Sequence, residues 1–210
     1  MTEKRSIKIY QPYAIMLAIY LGFVVFAFVT ERPAEIFAGF ARIVTSRSVL
    51  LTDYIAVGGL GATLVNVALA GSLGIFALVI SGTKPTGATF MALWLTTGFA
   101  FFGKNMFNMI PLTFGVWLSS KYTKTPYNSV ASLLVATISP VVSEISFWNV
   151  LGQPWDIMVG AAVGVAIGFI FPAVSAGTMK VVALGPKLVN NWAKVKMTIK
   201  AGMEAASNWW

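Results

Sequence analysis

Apolar residues in this chain run in blocks of about twenty, the length a helix needs to cross a hydrocarbon layer, and short polar clusters separate them. The first block, Tyr13 to Val29, is closed by Thr30-Glu31-Arg32-Pro33. Ala34 to Ser46 then sets Ile36, Phe37, Phe40, Ile43 and Val44 at helical spacing against Glu35, Arg42 and, just beyond, Arg47, the pattern of a short helix lying at an interface or serving as an amphipathic connector. Further blocks follow at Ala56 to Ile80, Thr86 to Phe102, Met106 to Leu118, Val130 to Val150 and Ile157 to Ala176. The pattern predicts an all-α integral membrane protein with about six transmembrane helices. It is divided into a cytoplasmic N-terminus over residues 1–12, a polytopic membrane domain over 13–176 and a basic amphipathic tail over 177–210. In that tail Leu188, Trp192, Val195 and Ile199 share one side, Lys187, Lys194, Lys196 and Lys200 are spread more widely, and Trp209-Trp210 are placed to anchor at an interface.

One stretch departs from the pattern. Gly98 to Ser120 is apolar almost throughout, yet carries Lys104, Asn105, Asn108 and Pro111. A continuous helix from Thr86 to Leu118 would be about 50 Å long against a hydrocarbon core of roughly 30 Å, so the helix is expected to break or re-enter, with Gly103-Lys104-Asn105 as the break. Irregular backbone at membrane depth is tolerated only where protein buries it or where it lines a wet cavity. Two prolines add further interruptions. Pro111 has no amide hydrogen to give to the carbonyl of Phe107, and Pro140 none for that of Ala136, so a kink is expected at each. Small residues mark close helix packing: Gly160, Gly164 and Gly168 recur at four-residue spacing, and Gly58, Ala62 and Asn66 do the same, with Asn66 placed for an interhelical hydrogen bond.

Composition sharpens this picture. Of 210 residues 57% are hydrophobic and only 10% charged, with mean hydropathy +0.78, more apolar surface than a soluble domain hides. Cysteine and histidine are both absent, which removes disulfides, thiolate nucleophiles, Cys or His metal sites and His-dependent triads. The net charge of +8 sits at helix ends and not in a nucleic-acid-binding patch. Lys4, Arg5 and Lys8 precede the first block as they would in a signal peptide, but the block is long and no small-residue cleavage site follows it, so a retained span is expected. With both termini in the cytoplasm and six crossings, all but Arg32, Arg42, Arg47 and Lys104 of the fifteen basic residues fall inside, as the positive-inside rule asks.

That orientation brings Asp53, Lys104 and Glu144 into the outer half of the membrane. Charges there are costly and pairing lowers the cost. The expectation is that Lys104 meets Glu144 and that Asn105, Asn108 and Asp53 complete a polar pocket along a substrate or ion pathway. The competing expectation is that Lys104 snorkels outward, Glu144 bonds nearby serines and Asp53 caps a helix. The corresponding functions are a transporter or channel for a small polar solute or ion, or a non-transporting scaffold or accessory subunit of a larger complex. An enzyme is not expected, because no nucleophile–base pair is recognisable, and Gly103-Lys104 lacks the surroundings of a phosphate-binding loop. No metal or other cofactor is expected; the partners are the lipid bilayer, an unidentified solute or ion, and a second copy or a partner half.

Three motifs, LTDYIAVGGLGATLVNVAL from Leu51, GFAFFGKNMFNMIPLTFGVWL from Gly98 and ISPVVSE from Ile138, occur in that order. Together they resemble a bacterial membrane family catalogued as domain of unknown function 1576, over roughly Ile43 to Pro172. The resemblance implies a multi-pass protein of the bacterial inner membrane and carries over no catalytic or binding residue. It also implies that this chain corresponds to the first half of longer members, which continue into a second membranous half after the stretch resembling Gly168 to Pro172.

Overall fold

The computed structural model describes residues 3–49 and 51–207, and these residues are all-helical. Trp209 and Trp210 lie outside the described residues, as do the side chains of Lys4, Arg5, Lys8, Lys187, Leu188, Val195 and Ile199. The helices are α1 (Glu3–Thr30), α2 (Pro33–Thr45), α3 (Tyr54–Gly58), α4 (Leu60–Ile80), α5 (Gly87–Phe99), α6 (Met106–Thr123), α7 (Ser129–Val135), α8 (Pro140–Ser146) and α9 (Trp155–Ser207). A single 3₁₀ turn, Ala136–Ile138, joins α7 to α8. The chain divides into two compact units, Met1–Pro172 and Ala173–Trp210. The second is helical through Ser207 and exposes Trp192 and Met197.

Among the described residues three stretches are long and apolar enough to cross a membrane, Tyr10–Thr30, Leu60–Ile80 and Trp155–Gly177, and the bent pair α7–α8 makes a fourth if it counts as one span. The remaining apolar blocks form shorter or more polar helices. α5 has 13 residues, about 20 Å of helix, and α6 gives its last turns to Ser119, Ser120 and Lys121.

In the first unit α4 is the central element. Tyr13, Met16 and Tyr20 of α1, Ala68, Ile75 and Leu78 of α4, Ala92 and Leu93 of α5 and Leu133 of α7 form one buried cluster. Gly71 makes the α1–α4 approach possible, because a Cβ there would run into the Tyr20 ring. The Tyr20 hydroxyl, brought inside by that contact, pairs with Thr97 Oγ1 at 2.6 Å. The glycines of α9 act as their spacing predicts: a Cβ on Gly160 would strike Ser146, one on Gly164 would lie 2.8 Å from Pro111 Cβ and Val142 Cγ2, and one on Gly168 would strike the Leu112 carbonyl.

Three boundaries differ from expectation, each for a local reason. The block Ala56 to Ile80 is split at Gly59, whose φ of +93° only glycine adopts without strain, so that Asp53 heads the five-residue α3 and not the long helix. Val130 to Val150 bends at Pro140 as expected, with α7 and α8 meeting at 49° where that residue withholds an amide, but the block is shorter than expected because α8 ends at Ser146. Pro111, by contrast, interrupts nothing, since α6 runs through it from Met106 to Thr123.

Candidate functional site

The backbone between α5 and α6 leaves helical form from Ala100 to Asn105, and Gly103 turns it at φ +89°. Glycine is required there on two counts: the conformation is left-handed, and a Cβ would lie 2.6 Å from the carbonyl oxygen of Val49 and 3.2 Å from Pro140 Cγ. The break in one helix pair therefore abuts the break in another.

A break at depth frees backbone groups, and neighbouring side chains take them up. Asn66 of α4, fully buried, donates from Nδ2 to the carbonyls of Ala100 and Lys104, each at 2.8 Å. The Tyr54 amide donates to the Phe101 carbonyl at 3.2 Å, and Asp53 pairs with Phe102 in an isolated antiparallel bridge. At the start of α6 Asn105 and Asn108 form a reciprocal capping box. Asn105 Oδ1 accepts from the amides of Phe107 and Asn108 at 3.0 and 2.9 Å, and Asn108 Oδ1 accepts from the Asn105 amide at 2.9 Å. Their amide nitrogens reach outward from the box. Asn105 Nδ2 donates to the Tyr54 hydroxyl at 3.1 Å, which pairs in turn with Ser48 Oγ at 3.1 Å, and Asn108 Nδ2 donates to the Gly103 carbonyl and to Ser143 Oγ, each at 2.9 Å. Three other segments thus meet the asparagine pair directly, through Tyr54, Gly103 and Ser143, and a fourth reaches it through Ser48.

Lys104 is completely buried, and its Nζ donates to Thr96 Oγ1 at 3.2 Å. It does not meet Glu144. That carboxylate takes Arg47 instead, whose Nη2 donates to Glu144 Oε1 in an ion pair. Asp53 also stays out of the cluster: its exposed side chain caps α3, accepting from the amides of Ile55 and Ala56 at 2.9 and 3.2 Å. Its backbone touches the break while its carboxylate serves a helix end, so Lys104 is left among neutral groups. Among the described residues no three Asp or Glu side chains converge as a metal site.

Beside the asparagine pair lies a recess of about 540 Å³. It is lined by Val44 and Thr45 of α2, by Val142, Ser143 and Ser146 of α8 with Phe147 just after it, by Asn105 and by Phe107, Asn108, Ile110 and Pro111 of α6, and by Ile157 and Ala161 of α9. The arrangement offers amide and hydroxyl groups, each able to exchange a protein partner for water or a polar ligand, on the wall of an otherwise apolar space.

Of the residues singled out from sequence, Asn105, Asn108, Gly103 and Pro140 come together here. Lys104 lies in the same break, Glu144 stands beside the recess, and Asp53 and Pro111 play other parts. Sequence reasoning did not find Tyr54, Ser48 and Thr96 as partners. Tyr54 carried one usable signal, a buried-type aromatic with a polar tip directly after a helix cap.

No curated protein and no solved structure matches the chain. A family model described as "Protein of unknown function (DUF1576)" matches residues 32–192, which takes in every residue of the break, the recess and the glycine ridge. The chain belongs to that family.

Proposed function

We propose that this protein is a multi-pass transporter or channel of the bacterial inner membrane that moves a small polar solute or ion past the crossing of its two interrupted helix pairs. In this reading both termini are cytoplasmic and the six crossings are α1, α4, α5, α6, the α7–α8 pair and the apolar part of α9. Since α5 supplies about 20 Å of rise from the cytoplasmic side, the break at Ala100 to Asn105 stands in the outer half of the membrane. The observation that carries the reading is the contact of Gly103 with Pro140, with Asn105, Asn108 and Ser143 around it on the wall of a recess. Helices broken at membrane depth and polar groups gathered at the break are the devices by which transporters hold solutes away from lipid.

A specific observation favours a second reading. Lys104 is wholly buried and the asparagine side chains are already bonded to protein, as befits a non-transporting scaffold or accessory subunit that uses its polar interior for specificity. Reconstituted vesicles tested with a panel of small ions and neutral solutes separate the two. Transport predicts flux of one solute class above protein-free vesicles, lowered at least about tenfold in Asn108→Leu and in Lys104→Met, where each substitution removes about 1.4 kcal/mol or more of stabilisation along the path. Vesicles holding monodisperse protein that pass no member of the panel would leave the scaffold reading in possession.

A further inference from the structure

We propose that Arg47 and Glu144 form a latch that fastens residues 46–49 to α8 and closes the outer edge of the recess. The two side chains are 97 positions apart in sequence and are hydrogen-bonded to each other, next to residues of both segments that line the recess. Val44 and Thr45, just before Arg47, line the recess, and so do Ser143, Ser146 and Phe147, around Glu144. The segment that carries Arg47 is tied to the polar break at two more points, through Ser48 Oγ to the Tyr54 hydroxyl and through the Val49 carbonyl packed onto Gly103. Displacing it would therefore uncover Asn105 and its neighbours in the same motion. Arg42 does not stand in for Arg47, since its guanidinium is committed to the carbonyls of Val57 and Gly58.

The strength of the pair suits a latch. Its side chains are 52% and 27% exposed, the condition in which an ion pair is weak and screened by salt, so that thermal motion opens it. One carboxylate oxygen, Glu144 Oε2, is nevertheless buried without a hydrogen-bond partner among the described residues, so loss of Arg47 leaves that carboxylate poorly compensated and favours movement of α8 toward water. A tie meant to be permanent would be buried on both sides. Closure of the recess matters for function only if the transport reading holds, but the latch itself is a matter of access and is measured without any solute.

The chain contains no cysteine, so Ser143→Cys places a single thiol on the recess wall. Its rate of reaction with a membrane-impermeant maleimide, in the full-length protein in vesicles, reads the closure. Slow labelling is expected with the pair intact, rising about two- to fivefold in Arg47→Ala and Glu144→Gln, the range an exposed ion pair supports. Salt at about 1 M, where the screening length is roughly 3 Å, produces the same rise with no change to the latch residues and none in the Arg47→Ala background. The exchanged pair Arg47→Glu with Glu144→Arg returns the slow rate. Labelling at one rate in all these proteins and salts overturns the latch, and so does a rise in the single variants that neither salt reproduces nor the exchange reverses. Labelling that responds while the flux panel stays silent retains the latch and removes transport.

Discussion

Helix α6 is held in two different ways along its length. At its first turn Asn105 and Asn108 bind it by hydrogen bonds to Tyr54, Gly103 and Ser143. One to three turns further on, Pro111, Leu112 and Gly115 are pressed directly against Gly164, Val165 and Gly168 of α9. The glycine contact works by the absence of side chains: backbones approach until dispersion contacts are saturated, and no water or ligand offers a substitute. The asparagine contacts are each replaceable, since water or a solute donates and accepts as well as Tyr54 or Ser143 does. Of the two ends of the same helix, the polar one is suited to opening and the glycine one to staying put.

The contrast is broken most forcefully at Gly168. Any side chain there meets the Leu112 carbonyl and lies within 3.1 Å of Gly115 Cα, so Gly168→Leu forces α6 and α9 apart. The expected loss is about 3 kcal/mol, the upper part of the usual range for overpacking, read as a lowered thermal midpoint in detergent. Gly22→Leu is the control, for nothing stands within 4 Å of a Cβ on Gly22. Equal midpoints for the two variants would mean that α6 and α9 do not pack in this way.

At the polar end the expected effects are smaller and divisible. Asn105→Ala removes the cap of α6 and the donor to the buried Tyr54 hydroxyl, together about 2 kcal/mol. Asn105→Ser keeps a capping oxygen and loses only the Tyr54 bond, and should cost roughly half as much. If Ser is as damaging as Ala in a thermal or denaturant titration, the cap is not what the asparagine contributes.

The same two regions differ in how far they were legible. The glycine ridge follows from spacing alone, because a period of four defines a helix face whatever the face meets. The break at Gly103 follows from length against membrane thickness, and a polar interhelical bond from Asn66 follows from its place on a small-residue face. None of these needs a partner to be named. Pairings do. Lys104 and Glu144 invited each other as opposite charges at similar depth, yet the chain path brings Arg47 to Glu144 and leaves Lys104 with Thr96. The course of the segment after α2 decides that outcome, and no periodicity in Ser46 to Asp53 encodes it. Pro140 was legible as a helix break, and α7 and α8 do bend by 49° there, whereas the kink expected at Pro111 is replaced by a helix that runs through it, since a proline kinks or ends a helix according to what packs around it.

Asp53 borders the polar break without joining its side-chain bonds, and the effect expected there is the smallest. Its backbone pairs with Phe102 in the polar break, whereas its carboxylate faces solvent and caps α3. Asparagine caps as well as aspartate, so Asp53→Asn should change stability by less than about 0.5 kcal/mol, the residue of a lost charge at a helix start, and Asp53→Ala by about 1 kcal/mol. Neither should alter the labelling rate of Ser143→Cys or the flux of any solute. A carboxylate belonging to the pathway behaves otherwise: Asp53→Asn would then depress flux while leaving the thermal midpoint in place, and the capping assignment would have to be given up.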